Sequence, residues 1–526
     1  MFETVIFGWI FTAIVVVFSA IKWYLARNDD YWKRRNVPHN PRASFYKMYK
    51  ETIEKGLAET IKNSLKPLGR RVIGSFEFST PTLTVADPDL IRDILVKDFH
   101  IFPYRRLFVS GDPIGDKGVA NLTGEDWKRI RTIITPAFTS KRMRQMASII
   151  NDCSKTVLEV CEKHCNKGEP VDCKRTFGAF TMDVIASSAF GTKIDSHNDP
   201  NNEFVKRVRK VFTDVTFLRM MLALMLPWWV WKLIPFVDNP MRMDKDNFFR
   251  DVTRNVIKQR KKTGKRYNDF LQLLMDCADE NAETVGQESV EDETDRFGSI
   301  TNSTLSPSTK YKRLSENEIL AQCILFFMVG YETTATILTF IAYNLATNPE
   351  WQEKLIKEVD ESFEKHTEMS YDAVRDMKIL DAVISETLRM HPPLLMGERT
   401  AVEDYILGDT GIVVEKDMRV NIPFYAMHYD PDFFQNPETF NPERFMDSFE
   451  PKHPQYAYLP FGAGPRNCLG MRFALLEIKM CITNILRHFR IKPLLTTKVP
   501  LEIKNTTFFL TVTEMPLRFE KRTDVK

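Results

Sequence analysis

Apolar residues recur three and four positions apart through residues 125–137, 149–166, 317–346, 351–365 and 468–489, the spacing that lines one face of an α-helix. Alternation appears only in short pieces. Residues 72–78 and 82–85, around Pro81, read as strands, and 411–422 reads as a further strand pair. The pattern predicts a mainly α chain with small β-sheets, and no period of 20–50 residues marks a repeat array.

Two apolar runs depart from these periods. Residues 5–21 carry no charge over 17 positions, just long enough to cross a bilayer as a helix. No Lys or Arg precedes the run, whereas Lys22, Arg27, Lys33, Arg34 and Arg35 follow it, so the positive-inside bias predicts a single-pass anchor (residues 1–21) with the bulk of the chain in the cytosol. The competing reading is a cleaved signal peptide ending near Ser19 and Ala20, which lacks the basic start of such peptides. Residues 22–45, basic and proline-containing, then form a linker. The second run, residues 220–231, is too short and too interrupted by Pro227 to span. Its Trp228, Trp229 and Trp231 suit either the headgroup layer or a buried loop between helices.

Residues 279–312 are patterned differently again. Their first 17 positions hold eight acids and no base, followed by a Ser/Thr/Pro run, a composition that cannot bury enough apolar surface to order itself. Helical periodicity resumes beyond it, so the stretch predicts a surface loop within one large domain, residues 46–526.

Composition narrows the function classes. With 73 Lys and Arg against 70 Asp and Glu, the formal charge of +3 is too balanced for a nucleic-acid binder. The 38 Phe, 22 Met and 8 Trp favour a large apolar interior able to hold an apolar ligand, and a mean hydropathy of −0.28 excludes a polytopic membrane protein. Eight cysteines are too few for a disulfide scaffold in 526 residues, which points to a reducing compartment or to one cysteine with a special task. Cys153, Cys161, Cys165 and Cys173 lack the close pair expected of structural zinc.

The special cysteine is Cys468, in the segment Phe461-Gly462-Ala463-Gly464-Pro465-Arg466-Asn467-Cys468-Leu469-Gly470 before an apolar helix. A thiolate at a helix amino terminus is favoured by backbone N–H groups and the helix dipole. Gly464 and Gly470 let the backbone approach a flat ligand, Phe461 covers the sulfur side, and Arg466 is placed to meet a carboxylate on that ligand. Haem iron bound by a cysteine thiolate calls for this combination.

On this segment the chain resembles the cytochrome P-450 family, whose Phe-x-x-Gly-x-Arg-x-Cys-x-Gly pattern it matches at every fixed position. The resemblance implies haem b with Cys468 as the iron ligand. It extends to Glu386-Thr387-Leu388-Arg389 and Pro442-Glu443-Arg444-Phe445, implying a structural network of Glu386, Arg389 and Arg444. Trp127 and Arg131 match the family's Trp-x-x-x-Arg, and Arg399 another position that binds a haem propionate. In Phe327-Met328-Val329-Gly330-Tyr331-Glu332-Thr333, the resemblance implies that Thr333 holds the oxygen ligand, that Glu332 relays protons for O–O cleavage, and that Gly330 leaves room for dioxygen. Val329 departs from the Ala or Gly usual there. A threonine that merely bends its helix by bonding back to the preceding turn is the alternative.

The similarity is greatest to the microsomal, xenobiotic-metabolising clan. It implies a monooxygenase in the endoplasmic reticulum membrane that inserts one atom of O2 into a small lipophilic substrate. Electrons would come from NADPH through a separate cytochrome reductase, with cytochrome b5 as a further partner. Lys128, Arg129, Lys141, Arg142 and Arg144 offer a basic docking face. Substrate would be held by residues 102–122, 212–222, the helix around Phe327, 393–396 and 507–510. Two other classes share the cysteine loop: a haem-thiolate isomerase or dehydratase, against which the Glu332-Thr333 pair argues, and a non-catalytic haem protein.

Overall fold

The computed structural model describes residues 27–526 except 42–43, 66–70, 107–110, 200–201, 214–215, 227, 232, 234–238, 240–241, 243–246, 278–312, 367, 447–452, 504–506 and 525–526, together with isolated positions before residue 27. The expected anchor over 5–21 falls mainly outside the described residues, and the acidic stretch 279–312 falls wholly outside them.

The helices that shape the site are α1 (Gly124–Ile134), α2 (Ser140–Lys167), α3 (Cys173–Phe190), α4 (Phe217–Met225), α5 (Phe248–Thr263), α6 (Phe270–Asp276), α7 (Glu316–Thr347), α8 (Pro349–Lys365), α9 (Lys378–Met390) and α10 (Met471–His488). Strands β1 (Val72–Glu77), β2 (Thr80–Val85), β4 (Gly397–Thr400) and β7 (Arg419–Ile422) form one sheet in the order β1-β2-β7-β4. A second sheet joins β3 (Val171–Asp172), β9 (Pro516–Lys521) and β8 (Phe489–Lys492), and β5 (Tyr405–Ile406) pairs with β6 (Val413–Val414). The mainly α prediction with small sheets agrees with this architecture.

Local expectations held where the side-chain pattern was local. The helix predicted from 149 instead begins at Ser140, because Met143, Met146, Ala147 and Ile150 continue its buried face one further turn and more. The strand pair expected within 411–422 is a correction. Val413–Val414 pairs with β5, whereas β7 pairs with β2 and β4, so the two segments belong to different sheets. Asp417, at φ 65°, turns the chain between them.

Helix α7 organises the body. Ser315 accepts from the Glu318 N–H while the Glu318 carboxylate accepts from Ser315 N, a reciprocal cap that starts the helix. Among the described residues it is the one helix long and apolar enough to cross a membrane, yet it lies mostly buried against α3, α5, α9 and α10. It packs tightly on α3 at Gly330, where an added Cβ would stand 2.6 Å from Ile185 Cδ1. The side of Gly330 that a Cβ would occupy is therefore taken by the neighbouring helix. Phe327 is a core residue, packed among Phe190, Phe204 and Phe249 with no exposed surface.

The segment after 110 is clamped to two helices. Asp112 and Arg250 of α5 form a buried ion pair, and Asp112 Oδ1 also accepts from Ile114 N at 2.9 Å. Gln322 of α7, fully buried, accepts from Val119 N at 2.8 Å and donates to Lys117 O at 2.9 Å. Replacing Gln322 with Leu strands that buried N–H, at a cost of about 1–3 kcal/mol. Amide exchange at Val119 should accelerate roughly 5- to 150-fold relative to the parent chain while exchange in α10 stays unchanged.

Candidate active site

Nested turns carry Cys468. Gly462 N donates to Leu459 O at 3.1 Å, Asn467 N to Gly464 O at 2.9 Å, and Cys468 N to Phe461 O at 2.9 Å. Helix α10 starts three residues after the cysteine, with Gly470 as its cap. The two glycines differ in purpose. Gly464 sits at φ 71°, and a Cβ there would stand 1.9 Å from Leu95 O, so its smallness serves protein packing. A Cβ on Gly470 would meet nothing within 4 Å, which leaves the approach of a flat ligand to Gly470. Phe461 is partly buried against the core. Cys468 is the one exposed cysteine among the described residues although protein surrounds it on other sides. Burial raises its thiol pKa, opposed by the Gly470 N–H and the guanidinium groups of Arg131 and Arg105.

Four arginines converge beside it. Arg131 Nη2 donates to Asn467 Oδ1 at 2.7 Å, Arg105 donates to Arg466 O, and Arg466 Nη2 donates to Leu122 O at 2.8 Å. The Arg466 guanidinium also lies 4.3 Å over the Trp127 ring, which is buried. Arg399 Nη1 donates to Glu398 O at 2.8 Å. Burial, with Arg105 and Arg131 beside it, pulls Arg466 down to about 9. Burial also lowers Arg131 to about 10, opposed by Cys468. Arg399 is pushed well below its usual range by burial and then by Arg105 and Arg466, and Arg105 is lowered by burial. The Nε atoms of Arg399 and Arg466 are buried with no hydrogen-bond partner. Such a cluster has the charge and the unused donors to take up anions. Arg105 is the member that sequence reading missed, because its neighbour Arg106 has the same composition signal. Arg106 is matched by Glu77 at 2.5 Å and Glu398 at 3.0 Å.

A second buried charge group is fully matched. Arg389 Nε donates to Glu386 Oε2 at 2.8 Å, and Glu386 Oε1 accepts from Arg389 Nη2 at 2.9 Å, Asn441 N at 2.9 Å and Arg444 Nε at 3.3 Å. Arg389 further donates to His428 O and Pro437 O, each at 2.8 Å. These residues touch the polypeptide and one another.

On α7, Thr333 Oγ1 donates to Val329 O at 2.7 Å. Glu332 turns elsewhere: its Oε1 accepts from Lys174 Nζ at 2.6 Å, Thr511 Oγ1 at 2.8 Å and Thr336 Oγ1 at 3.5 Å. Lys174 and Thr511 were not foreseen, since both lie more than 150 positions away in sequence. Val329 is 48 % exposed between buried Met328 and tightly packed Gly330, and Leu394 (38 %) and Phe509 (44 %) are exposed too. Backbone bonds Leu395 N to Phe508 O at 3.1 Å and Leu510 N to Pro393 O at 3.0 Å join the two substrate segments expected around them.

The family model described as Cytochrome P450 matches residues 59–519. The chain belongs to the cytochrome P450 family. It is 33 % identical over 538 residues to cytochrome P450 9e2 of Blattella germanica, covering 96 % of each chain. It is 37 % identical over 445 residues to cytochrome P450 3A5 of Homo sapiens, covering 82 % of this chain and 80 % of that one. Cytochrome P450 6B2 of Helicoverpa armigera is 32 % identical over 512 residues, covering 95 % and 96 %.

As a P450, the protein is a haem-thiolate monooxygenase. The residues present fit that cofactor. An accessible thiol beside an open glycine suits an axial ligand, and the orphaned Arg399 and Arg466 donors suit two carboxylates. Removing one cation should separate these functions. Arg399→Met should release haem to an acceptor apoprotein about 10- to 150-fold faster, the value of a charge-assisted bond of about 1.5–3 kcal/mol. Thermal unfolding of the haem-free chain should shift upward, because repulsion among buried guanidinium groups is relieved.

Proposed function

We propose that this P450 hydroxylates small lipophilic molecules with electrons supplied from NADPH by a separate reductase, at the endoplasmic reticulum membrane. The observation that carries the substrate class is the set of exposed apolar side chains, Val329, Leu394 and Phe509, in segments otherwise buried. Apolar surface left accessible on a core helix favours an apolar guest. Haem, when bound by Cys468, Trp127, Arg131, Arg399, Arg466 and Arg105, supplies the oxygen-activating chemistry. Phe461 shields the sulfur side and Gly470 gives the flat ring room.

Thr333 and Glu332 divide the proton work. With its hydrogen committed to Val329 O, Thr333 Oγ1 keeps its lone pairs for accepting a hydrogen bond from a donor held beside it. Val329 shares that helix face, one turn away. Glu332, held by Lys174, Thr511 and Thr336, is a carboxylate facing α3 that relays protons by taking one up before passing it on. Turnover of a panel of lipophilic probes with NADPH and added reductase tests the reading, and absence of oxygenated product with intact ferrous–carbon monoxide absorption would overturn it. Thr333→Ala should cut product formed per NADPH consumed about tenfold, within the range of a proton-transfer group, with little change in probe affinity.

The docking face is smaller than its basic residues implied. Lys128 and Arg144 are half exposed and paired with Glu125 at 2.8 Å and Asp372 at 3.0 Å. Arg129 is committed to Glu318 and Asp126. Exposed Lys128, Lys141 and Arg144 remain to receive an acidic reductase or cytochrome b5, and rising salt is expected to slow reduction.

Membrane contact is attributed to α4 and the turn Trp228–Trp231. Leu218, Leu222 and Met225 are exposed on one face, followed by exposed Trp229, while Met220, Met221 and Trp231 point inward. Trp231 thus follows the buried alternative, and the Trp228 side chain lies outside the described residues. In a chain lacking residues 1–21, the triple change Leu218→Ser, Leu222→Ser and Trp229→Ser should lower partitioning onto lipid vesicles at least tenfold, measured by sedimentation.

A further inference from the structure

His428 has no exposed surface, and both ring nitrogens face backbone groups from different parts of the chain. Nδ1 lies 3.1 Å from Arg389 O on α9, and Nε2 lies 3.2 Å from Leu459 N, two residues before Phe461. A carbonyl only accepts and a backbone N–H only donates, so Nδ1 carries the proton and Nε2 the lone pair. One neutral tautomer satisfies both contacts. Protonation would set a ring N–H against the Leu459 N–H.

We propose that His428 is a positioning residue that couples the buried Glu386–Arg389 pair to the cysteine loop. The route is continuous. Glu386 fixes Arg389 through two bonds of 2.8 and 2.9 Å, and Arg389 exchanges a second contact with His428 through Nη1 to His428 O at 2.8 Å. From His428 Nε2 it passes to Leu459 N at 3.2 Å, whose carbonyl accepts from Gly462 N at 3.1 Å. The loop then closes through Cys468 N to Phe461 O at 2.9 Å. Tyr458 runs a parallel tie to Ser385 O at 3.0 Å on α9 and packs 5.5 Å from the His428 ring. Burial, and then Arg389, drop the His428 pKa to about 3, so the acceptor survives across the physiological range. Glutamate or arginine could not take this place, because each lacks the donor or the acceptor that a neutral imidazole combines.

The test separates the two halves of the bridge in the full haem-loaded chain. His428→Gln can put an amide oxygen near the former Nε2, keeping an acceptor for Leu459 N–H and losing the donor to Arg389 O. His428→Asn does the reverse. Both remove one bond of similar kind, so similar losses of thermal stability are expected. The ferrous–carbon monoxide spectrum should divide them: Gln keeps the thiolate band, whereas Asn converts to the thiolate-lost form at least fivefold faster on warming. Conversion rates that track thermal stability alike in both variants, or that match the parent, would overturn the coupling. Should neither variant retain haem, ¹⁵N resonances of His428 in the parent ferrous–carbon monoxide complex decide. A bare Nε2 that does not titrate between pH 5 and 9 supports the bridge, and a protonated or titrating Nε2 overturns it.

Discussion

Positive charge gathered in a dry interior is the constraint around which this site is built. Burial lowers the proton affinity of Arg105, Arg131, Arg399 and Arg466, Arg105 lowers that of the other three further, and buried donors on two of them face no protein acceptor. A chain selected for stability alone would place carboxylates there, as it does one residue along. Arg106 is matched by Glu77 and Glu398, and Glu77 also takes Arg419 at 2.7 Å. The fold thus withholds counter-ions from the cations next to Cys468 and supplies them immediately outside. The carboxylates of the cofactor would complete the set, which would couple cofactor binding to local stability.

Holding such a cluster open needs a rigid frame, and the frame uses the opposite electrostatic solution. Glu386 and Arg389 have no exposed surface, and four N–H donors of the Arg389 guanidinium meet a carboxylate or a carbonyl. Removing one partner of such a pair costs about 3–5 kcal/mol because the other charge stays buried. The pair therefore ties α9 to the 428–444 segment firmly enough for single hydrogen bonds at His428 and Tyr458 to transmit that order to the loop. One charge group is left incomplete for a ligand, and another is completed so that the first keeps its shape.

What could be read from the sequence follows the range of the interaction. Helix bodies and the cysteine loop were legible because their determinants lie within a few residues: apolar spacing and the motif from Phe461 to Gly470. The split of 411–422 between two sheets was not, since each partner strand lies elsewhere in the chain. Lys174, Thr511, Arg105 and His428 escaped for the same reason, each being an ordinary residue until the fold brings it to Glu332, Arg466 or Leu459. The glycines were found, but the packing reason for two of them was not. Gly330 and Gly464 are small because Ile185 and Leu95 press on them, a fact carried by neighbours that sequence spacing does not reveal.

Helix α7 shows why a linear motif overstates the unity of its residues. Each position rotates about 100° from the last, so neighbours in sequence face different surroundings. Phe327 enters an aromatic core, Val329 stays accessible, Gly330 meets α3, Glu332 pairs with Lys174, and Thr333 bonds back to Val329 O. An acid and a threonine written side by side consequently serve different faces. The Glu332 carboxylate is tethered by Lys174 at 2.6 Å and by Thr511 at 2.8 Å, so its position is set by α3 and by residue 511 and not by the Thr333 beside it.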